Sequence, residues 1–276
     1  MKQCPARSEK EKVAFSFMGL CYTSLEVKEM NILDNLILKH GLQTLKEKIY
    51  SSLYTCIMVH PTRAEELNIG TSKLGGYPDL PPEFCWPEKD GEYLQFIGQI
   101  NLSQLEGTWK KDFLLPETGY LYFFYDGEAY GEEDQQNGWR VLFYEGPAKN
   151  LSTIKVDVSN VYSQCEVQFS YDIRLGDTYI EDDQLYDQFN ALMLEINGNI
   201  PFHQIGGTTW NIQGDVLEEC EDFSGRKGDW QLLFQIDSDD QLDMMWGDVG
   251  ILYYCIERQA LAKKQFENTW LIMQCS

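Results

Sequence analysis

Four carboxylates fall within seven residues, at Asp237, Asp239, Asp240 and Asp243, and Asp248 follows closely. Hard divalent cations such as calcium are held by clusters of oxygen ligands of this kind. An EF-hand-like loop counted from Asp237 would need glycine at its sixth position and glutamate at its twelfth, where this chain has Leu242 and Asp248. A metal site built from Asp237, Asp239, Asp240, Asp243 and Asp248 therefore competes with an acidic surface loop, and the loop fits the pattern better. His203 is the histidine placed to work with these aspartates, because it immediately precedes a glycine-containing turn. The only other histidines are His40 and His60. No G-x-S-x-G or H-E-x-x-H motif is present, and no catalytic residue is assigned.

A second polar set lies in strand-like sequence. In Phe96-Ile97-Gly98-Gln99-Ile100-Asn101, alternation puts Gln99 and Asn101 on the face opposite Phe96, Gly98 and Ile100. Gln235 and Asp237 stand in the same relation to Leu232, Phe234 and Ile236. Paired amides suit either a hydrogen-bond network within the protein or two ligand-orienting groups. Trp86, in the proline-aromatic stretch from Tyr77 to Pro87, and Trp246, before Gly247-Asp248, complete the candidate ligand-binding set of Gln99, Gln235, His203, Trp86 and Trp246. The proline-aromatic stretch reads as a strap packed on its own domain or as a segment for an aromatic groove.

These residues sit in an internal duplication. Gly76 and Gly207, Gly119 and Gly250, and Trp139 and Trp270 are each separated by 131 positions. The glutamine strands match five residues out of step. Ser72 to Gly76 matches His203 to Gly207, and Gly119 to Phe123 matches Gly250 to Tyr254. Each copy, at about 72–145 and 203–275, is expected to hold a glycine turn, the glutamine strand, an aromatic strand and a closing tryptophan strand. Ahead of them, from Asn31 to about Cys56, Ile32, Leu33, Leu36, Ile37, Leu42, Leu45, Ile49 and Leu53 recur at helical spacing, with a break near Gly41. Between the copies, strands are expected at 153–158 and 166–173. Asp182 and Asp183 open a helix that stops at Gly198. The fold class is α+β, internally duplicated, with mostly antiparallel sheet units and a few peripheral helices.

Composition narrows the function classes. With 44 acidic against 22 basic residues, the net charge is −22, which repels phosphate backbones and anionic bilayers. Nucleic-acid and membrane-surface binding are disfavoured, whereas a basic protein partner is compatible. The eight cysteines are scattered without a C-x-x-C pair, which indicates a reducing, cytoplasmic setting. Residues 1–29 begin with a basic, interrupted segment and read as a disordered extension or an over-long start, leaving 30–276 as one domain with two repeats.

The glycine turn with Pro78 and Trp86-Pro87, then Gln99-Ile100-Asn101, and above all Leu233 to Asp239 leading into Met245-Trp246-Gly247-Asp248-Val249-Gly250, resemble the YwqG-like family of bacterial proteins of unknown function. The resemblance runs from about residue 40 to the end. It implies a duplicated α+β protein without established enzyme activity, related to domains found beside toxin and immunity modules. The expected function is a non-catalytic cytoplasmic binding protein with an acidic interaction surface, in the manner of an immunity or accessory factor. The alternative is a hydrolase, or a metal- or small-molecule-binding protein, with its site between the repeats. No cofactor is assigned apart from the calcium or other divalent cation weighed above.

Overall fold

A computed structural model describes residues 24–198 and 202–276. The expectation for the N-terminal extension falls mainly on residues outside that range. Helices are α1 (Ser24–Lys39), α2 (Lys46–Ser51), α3 (Gly107–Asp112), α4 (Asp183–Asn197), α5 (Val216–Ser224) and α6 (Arg258–Ala262). Strands are β1 (Leu53–Arg63), β2 (Lys73–Leu74), β3 (Asp79–Leu80), β4 (Glu88–Lys89), β5 (Glu92–Tyr93), β6 (Gln95–Asn101) and β7 (Tyr120–Tyr125). They continue as β8 (Trp139–Tyr144), β9 (Ser152–Thr153), β10 (Cys165–Leu175), β11 (Gln204–Ile205), β12 (Trp230–Asp237), β13 (Ile251–Glu257) and β14 (Trp270–Gln274). The class is α+β and mostly sheet.

Among the described residues, the chain divides into two compact units, 24–56 with 171–198, and 57–170 with 202–276. In the first, Gly41 takes φ +72° and separates α1 from α2, the break expected there. The helix expected to run to about Cys56 stops at Ser51, and Leu53 opens β1 instead, where Tyr54 to Val59 is rich in aromatic and β-branched residues. The Asp182 side chain accepts the Leu185 N–H, satisfying an orphan donor at the start of α4, and Gly198 ends that helix at φ +76°. The strand expected at 153–158 shrinks to β9. Beyond Thr153, only Ile154 and Val156 pack on the neighbouring core cluster, and no ladder forms.

The second unit carries both repeats. Its sheet runs β14-β13-β12-β11-β1-β10-β2-β6-β7-β8, so β2-β6-β7-β8 and β11-β12-β13-β14 are matching four-strand blocks. Registers match too: Lys73 faces Gln99 and Gln99 faces Tyr122, while Gln204 faces Gln235 and Gln235 faces Tyr253. Each long strand has an irregularity at the same place, between Phe96 and Gly98 and between Leu232 and Phe234. A bulge adds one unpaired residue and bends the strand.

Equivalent residues meet each other. The Trp139 and Trp270 rings lie 5.2 Å apart, edge to face. Trp139 Nε1 donates to the Thr269 carbonyl at 3.0 Å, and Trp270 Nε1 donates to the Gly131 carbonyl at 2.8 Å. Phe123 packs against its counterpart Tyr254 at 5.1 Å. Self-pairing of equivalent positions marks a pseudo-twofold axis, as at an isologous interface. The segment around Gly131 comes from the first copy and covers the exposed edge of the second, where Met273 N–H donates to the Tyr130 carbonyl at 3.1 Å. An unpaired β14 edge would otherwise invite strand addition from another chain.

Candidate functional site

Each glycine turn is clamped by its glutamine. In the first copy, Gln99 Oε1 accepts the Asp79 N–H at 2.8 Å and Gln99 Nε2 donates to the Thr71 carbonyl at 2.8 Å. In the second, Gln235 Oε1 accepts the Trp210 N–H at 3.0 Å and Gln235 Nε2 donates to the Phe202 carbonyl at 3.0 Å. Asp79 and Trp210 are separated by 131 residues, as are Thr71 and Phe202. Both amides are completely buried and bridge the chain entering and leaving the turn. The turns also engage the bulges: Gly75 N–H donates to the Ile97 carbonyl and Gly206 N–H to the Leu233 carbonyl. A Cβ on Gly75 would lie 2.2 Å from the Ser163 carbonyl oxygen, so φ +66° and the close approach both demand glycine there.

At the first turn lies an ion pair that motif reading passes over. Lys73 Nζ is 3.1 Å from Asp79 Oδ2, with both side chains almost wholly buried. Asp79 Oδ2 also accepts from Gly70 N–H at 2.9 Å and Gln99 Nε2 at 2.8 Å, while Oδ1 accepts from Thr153 Oγ1 at 2.7 Å. Burial opposes ionisation of Asp79, yet the Gly70 N–H, the Lys73 charge and the two side-chain donors together hold its carboxyl below the ordinary value. Burial pulls the Lys73 ammonium down against the pull of Asp79. The available signal was in the duplication. The counterparts of Lys73 and Asp79 are Gln204 and Trp210, so both charges of the pair are confined to one copy.

His203 and Ser72 occupy the same place before their turns. Ser72 Oγ accepts the Asn101 N–H at 2.8 Å, and His203 Nδ1 accepts the Asp237 N–H at 3.1 Å. Accepting at Nδ1 leaves the ring proton on Nε2, which donates to Asp239 Oδ2 at 3.1 Å. Both ring nitrogens of this buried histidine are thereby engaged. The hydrogen bond from His203 holds Asp239 below the ordinary carboxyl range, whereas burial raises Asp237 above it despite the Phe202 N–H donated to Oδ2.

The remaining acidic positions diverge rather than converge. Asp240, Asp243 and Asp248 are exposed. Asp243 accepts from Ser163 Oγ and lies 3.7 Å from Arg63. Among the described residues, no group of three or more histidine, cysteine, aspartate and glutamate side chains is arranged to hold a metal ion. Trp86 is buried in a cluster with Leu94, Phe96 and Phe124, and its Nε1 donates to the Leu94 carbonyl at 2.7 Å. Trp246 is buried edge-on to Tyr125 and Tyr162.

Trp246 anchors the loop that carries these aspartates. Ser238 Oγ donates to the Gly250 carbonyl and accepts the Trp246 N–H, closing the loop base. Asp239 and Met244 pair as an isolated bridge, Ser163 N–H donates to the Leu242 carbonyl, and Gln241 Nε2 donates to the Pro61 carbonyl. Asp243, Gly247 and Val249 take φ of +56°, +55° and +53°. A left-handed conformation is costly for a β-branched residue, so the fastenings around Val249 hold a shape its own preference resists.

A family model described as a domain of unknown function, DUF1963, matches residues 72–275. The chain belongs to the DUF1963 family. The match begins at the first glycine turn and ends one residue past β14, so the DUF1963 region spans both repeats. Comparison with curated proteins yields no match. Among the described residues of this DUF1963 protein, no helix is long and apolar enough to cross a membrane.

Proposed function

We propose that this protein is a non-catalytic, cytoplasmic binding protein of YwqG-like type, serving as an immunity or accessory factor. Its partner would be a basic protein segment docking on the 238–250 loop. The observation that carries the reading is the presentation of Met245 and Val249. They are 52% and 59% exposed at the surface of a well-fastened loop, beside the exposed Asp240, Asp243 and Asp248. Apolar tips flanked by carboxylates complement a segment that alternates basic and apolar residues, and a rigid presenter limits the ordering cost of binding. The hydrolase alternative has less support, because the half-buried Asp237 and Asp239 already accept hydrogen bonds from Phe202 N–H and His203 Nε2 and the other carboxylates face solvent.

Binding of a synthetic peptide alternating lysine and leucine tests the reading by fluorescence anisotropy. The Met245→Ser/Val249→Ser double variant keeps the net charge while removing both tips. Its affinity is expected to fall about tenfold, equivalent to about 1.4 kcal/mol. Equal binding by wild type and variant would reduce the interaction to nonspecific attraction by the net charge and refute the docking loop.

A further inference from the structure

At the junction of the two repeats lies a groove of about 380 Å³, lined by Gln136 and Trp139 to Val141 on one side and by Ser224, Arg226 and Glu267 to Trp270 on the other. Its size falls within the range of small-molecule sites, and it contains the Trp139–Trp270 pair on the pseudo-twofold axis. Its lining carries more arginine than carboxylate. Arg140 and Arg226 line the groove with one carboxylate, Glu267, and Glu257 pairs with Arg226 from outside the lining, in a protein of net charge −22.

Both guanidinium groups are held in place. Arg226 lies over the rings of Trp230 and Trp270, at 4.8 and 5.6 Å from their centroids. Arg226 Nη1 is 3.2 Å from Glu257, and Nη2 donates to the Asn268 carbonyl. Arg140 Nη1 donates to the Gln136 and Trp139 carbonyls, and Nη2 to Asn137 Oδ1. Each guanidinium has five N–H donors, so these fixed partners leave further donors on both. The Thr269 hydroxyl adds an independent observation. Thr269 is 5% exposed, borders the groove, and its Oγ1 has no hydrogen-bond partner. A buried hydroxyl without a partner costs about 1–3 kcal/mol, and an acceptor brought into the groove would relieve that cost.

We propose that this groove binds a small oxyanion, a carboxylate or a phosphomonoester, through Arg140, Arg226 and the Thr269 hydroxyl. Prepositioned planar guanidinium groups match the oxygens of such ions, and Thr269 supplies one more donor. This site is separate from the 238–250 loop and does not depend on the partner proposed for it.

Isothermal titration of the full chain with citrate, inorganic phosphate and glycerol phosphate, in low salt with glycerol as the neutral control, tests the assignment. Citrate binding alone would identify a carboxylate site, and binding of the phosphates alone a phosphate site. Arg140→Gln and Thr269→Val are each expected to weaken the bound anion at least tenfold, while Thr269→Ser retains it. Thr269→Val should leave the melting temperature unchanged or raise it, because it removes an unpartnered hydroxyl. If none of the three anions binds at millimolar concentration, or if either weakening variant binds as well as wild type, the proposal is overturned.

Discussion

The two repeats fold alike but stabilise their glycine turns by different chemistry. At the first turn, Gln99 holds a carboxylate in place, and that carboxylate is neutralised by a buried lysine. At the second, Gln235 makes the same two backbone hydrogen bonds, but Gln204 and Trp210 stand where Lys73 and Asp79 do. Gln204 Nε2 turns instead to the Gly206 and Thr208 carbonyls, and Trp210 stacks on Phe202 with centroids 4.7 Å apart. The backbone scaffold is therefore indifferent to whether a charge pair or an amide with an aromatic stack fills the space. Replacing a buried ion pair as a unit is often tolerated, whereas removing one partner strands the other charge.

The largest expected effect tests that asymmetry. Asp79→Asn leaves Lys73 without its carboxylate and should cost about 3–5 kcal/mol in urea denaturation. Lys73→Gln/Asp79→Asn, which places at 73 the amide found at 204, should recover most of the loss. The single variant should also become more stable as pH rises. A lysine whose folded-state value is depressed releases its proton before the unfolded chain does, so stability increases with pH until the ordinary value near 10.5 is passed. A double variant no more stable than Asp79→Asn would mean that the first turn needs the pair itself.

The duplication was legible because Gly76, Gly119 and Trp139 repeat at a fixed offset, and strand alternation placed Gln99 and Gln235 on matching faces. Spacing of apolar residues also located α1, α4 and the break at Gly41, but it missed α3 and α5 and took the start of β1 at Leu53 for helix. The Lys73–Asp79 pair was not legible from motifs, because its partners lie six residues apart across a turn and match no familiar pattern. Nor could alternation reveal that the Gly127 to Asp134 segment would cover the β14 edge, since the pairing of Tyr130 with Met273 is fixed by the fold. The carboxylate run was compatible with a metal site and fitted an acidic surface loop better, because one-dimensional density does not set direction. The turn at Asp239 and the left-handed Asp243 send neighbouring carboxylates apart.

A smaller difference should separate the two glutamine clamps. Gln99→Ala would strand the Asp79 N–H and the Thr71 carbonyl and also take one donor from Asp79 Oδ2, costing about 2–3 kcal/mol. Gln235→Ala removes only the two backbone partners and should cost about 1 kcal/mol less. Matched urea midpoints would show that the third hydrogen bond of Gln99 contributes nothing and that the clamps are energetically equivalent.

The smallest expected effect concerns the residues ahead of the turns, where Ser72 needs no acidic partner but His203 engages Asp239. Asp239 and Asp237 lie two residues apart and are shifted in opposite directions, so they contribute to acid stability with opposite signs. The depressed Asp239 carboxyl adds stability that is fully present above its ordinary value near 3.8 and is lost as pH falls through the folded-state value. The raised Asp237 carboxyl carries a cost at neutral pH that is relieved as pH falls through its folded-state value toward 3.8. In thermal melts from pH 7 downward, the advantage of wild type over Asp239→Asn, about 1 kcal/mol at neutrality, should shrink. Over the same range, wild type should gain relative to Asp237→Asn. If both differences moved in the same direction, the His203 contact would not distinguish the two carboxyls, and the histidine would be only a larger form of the serine at 72.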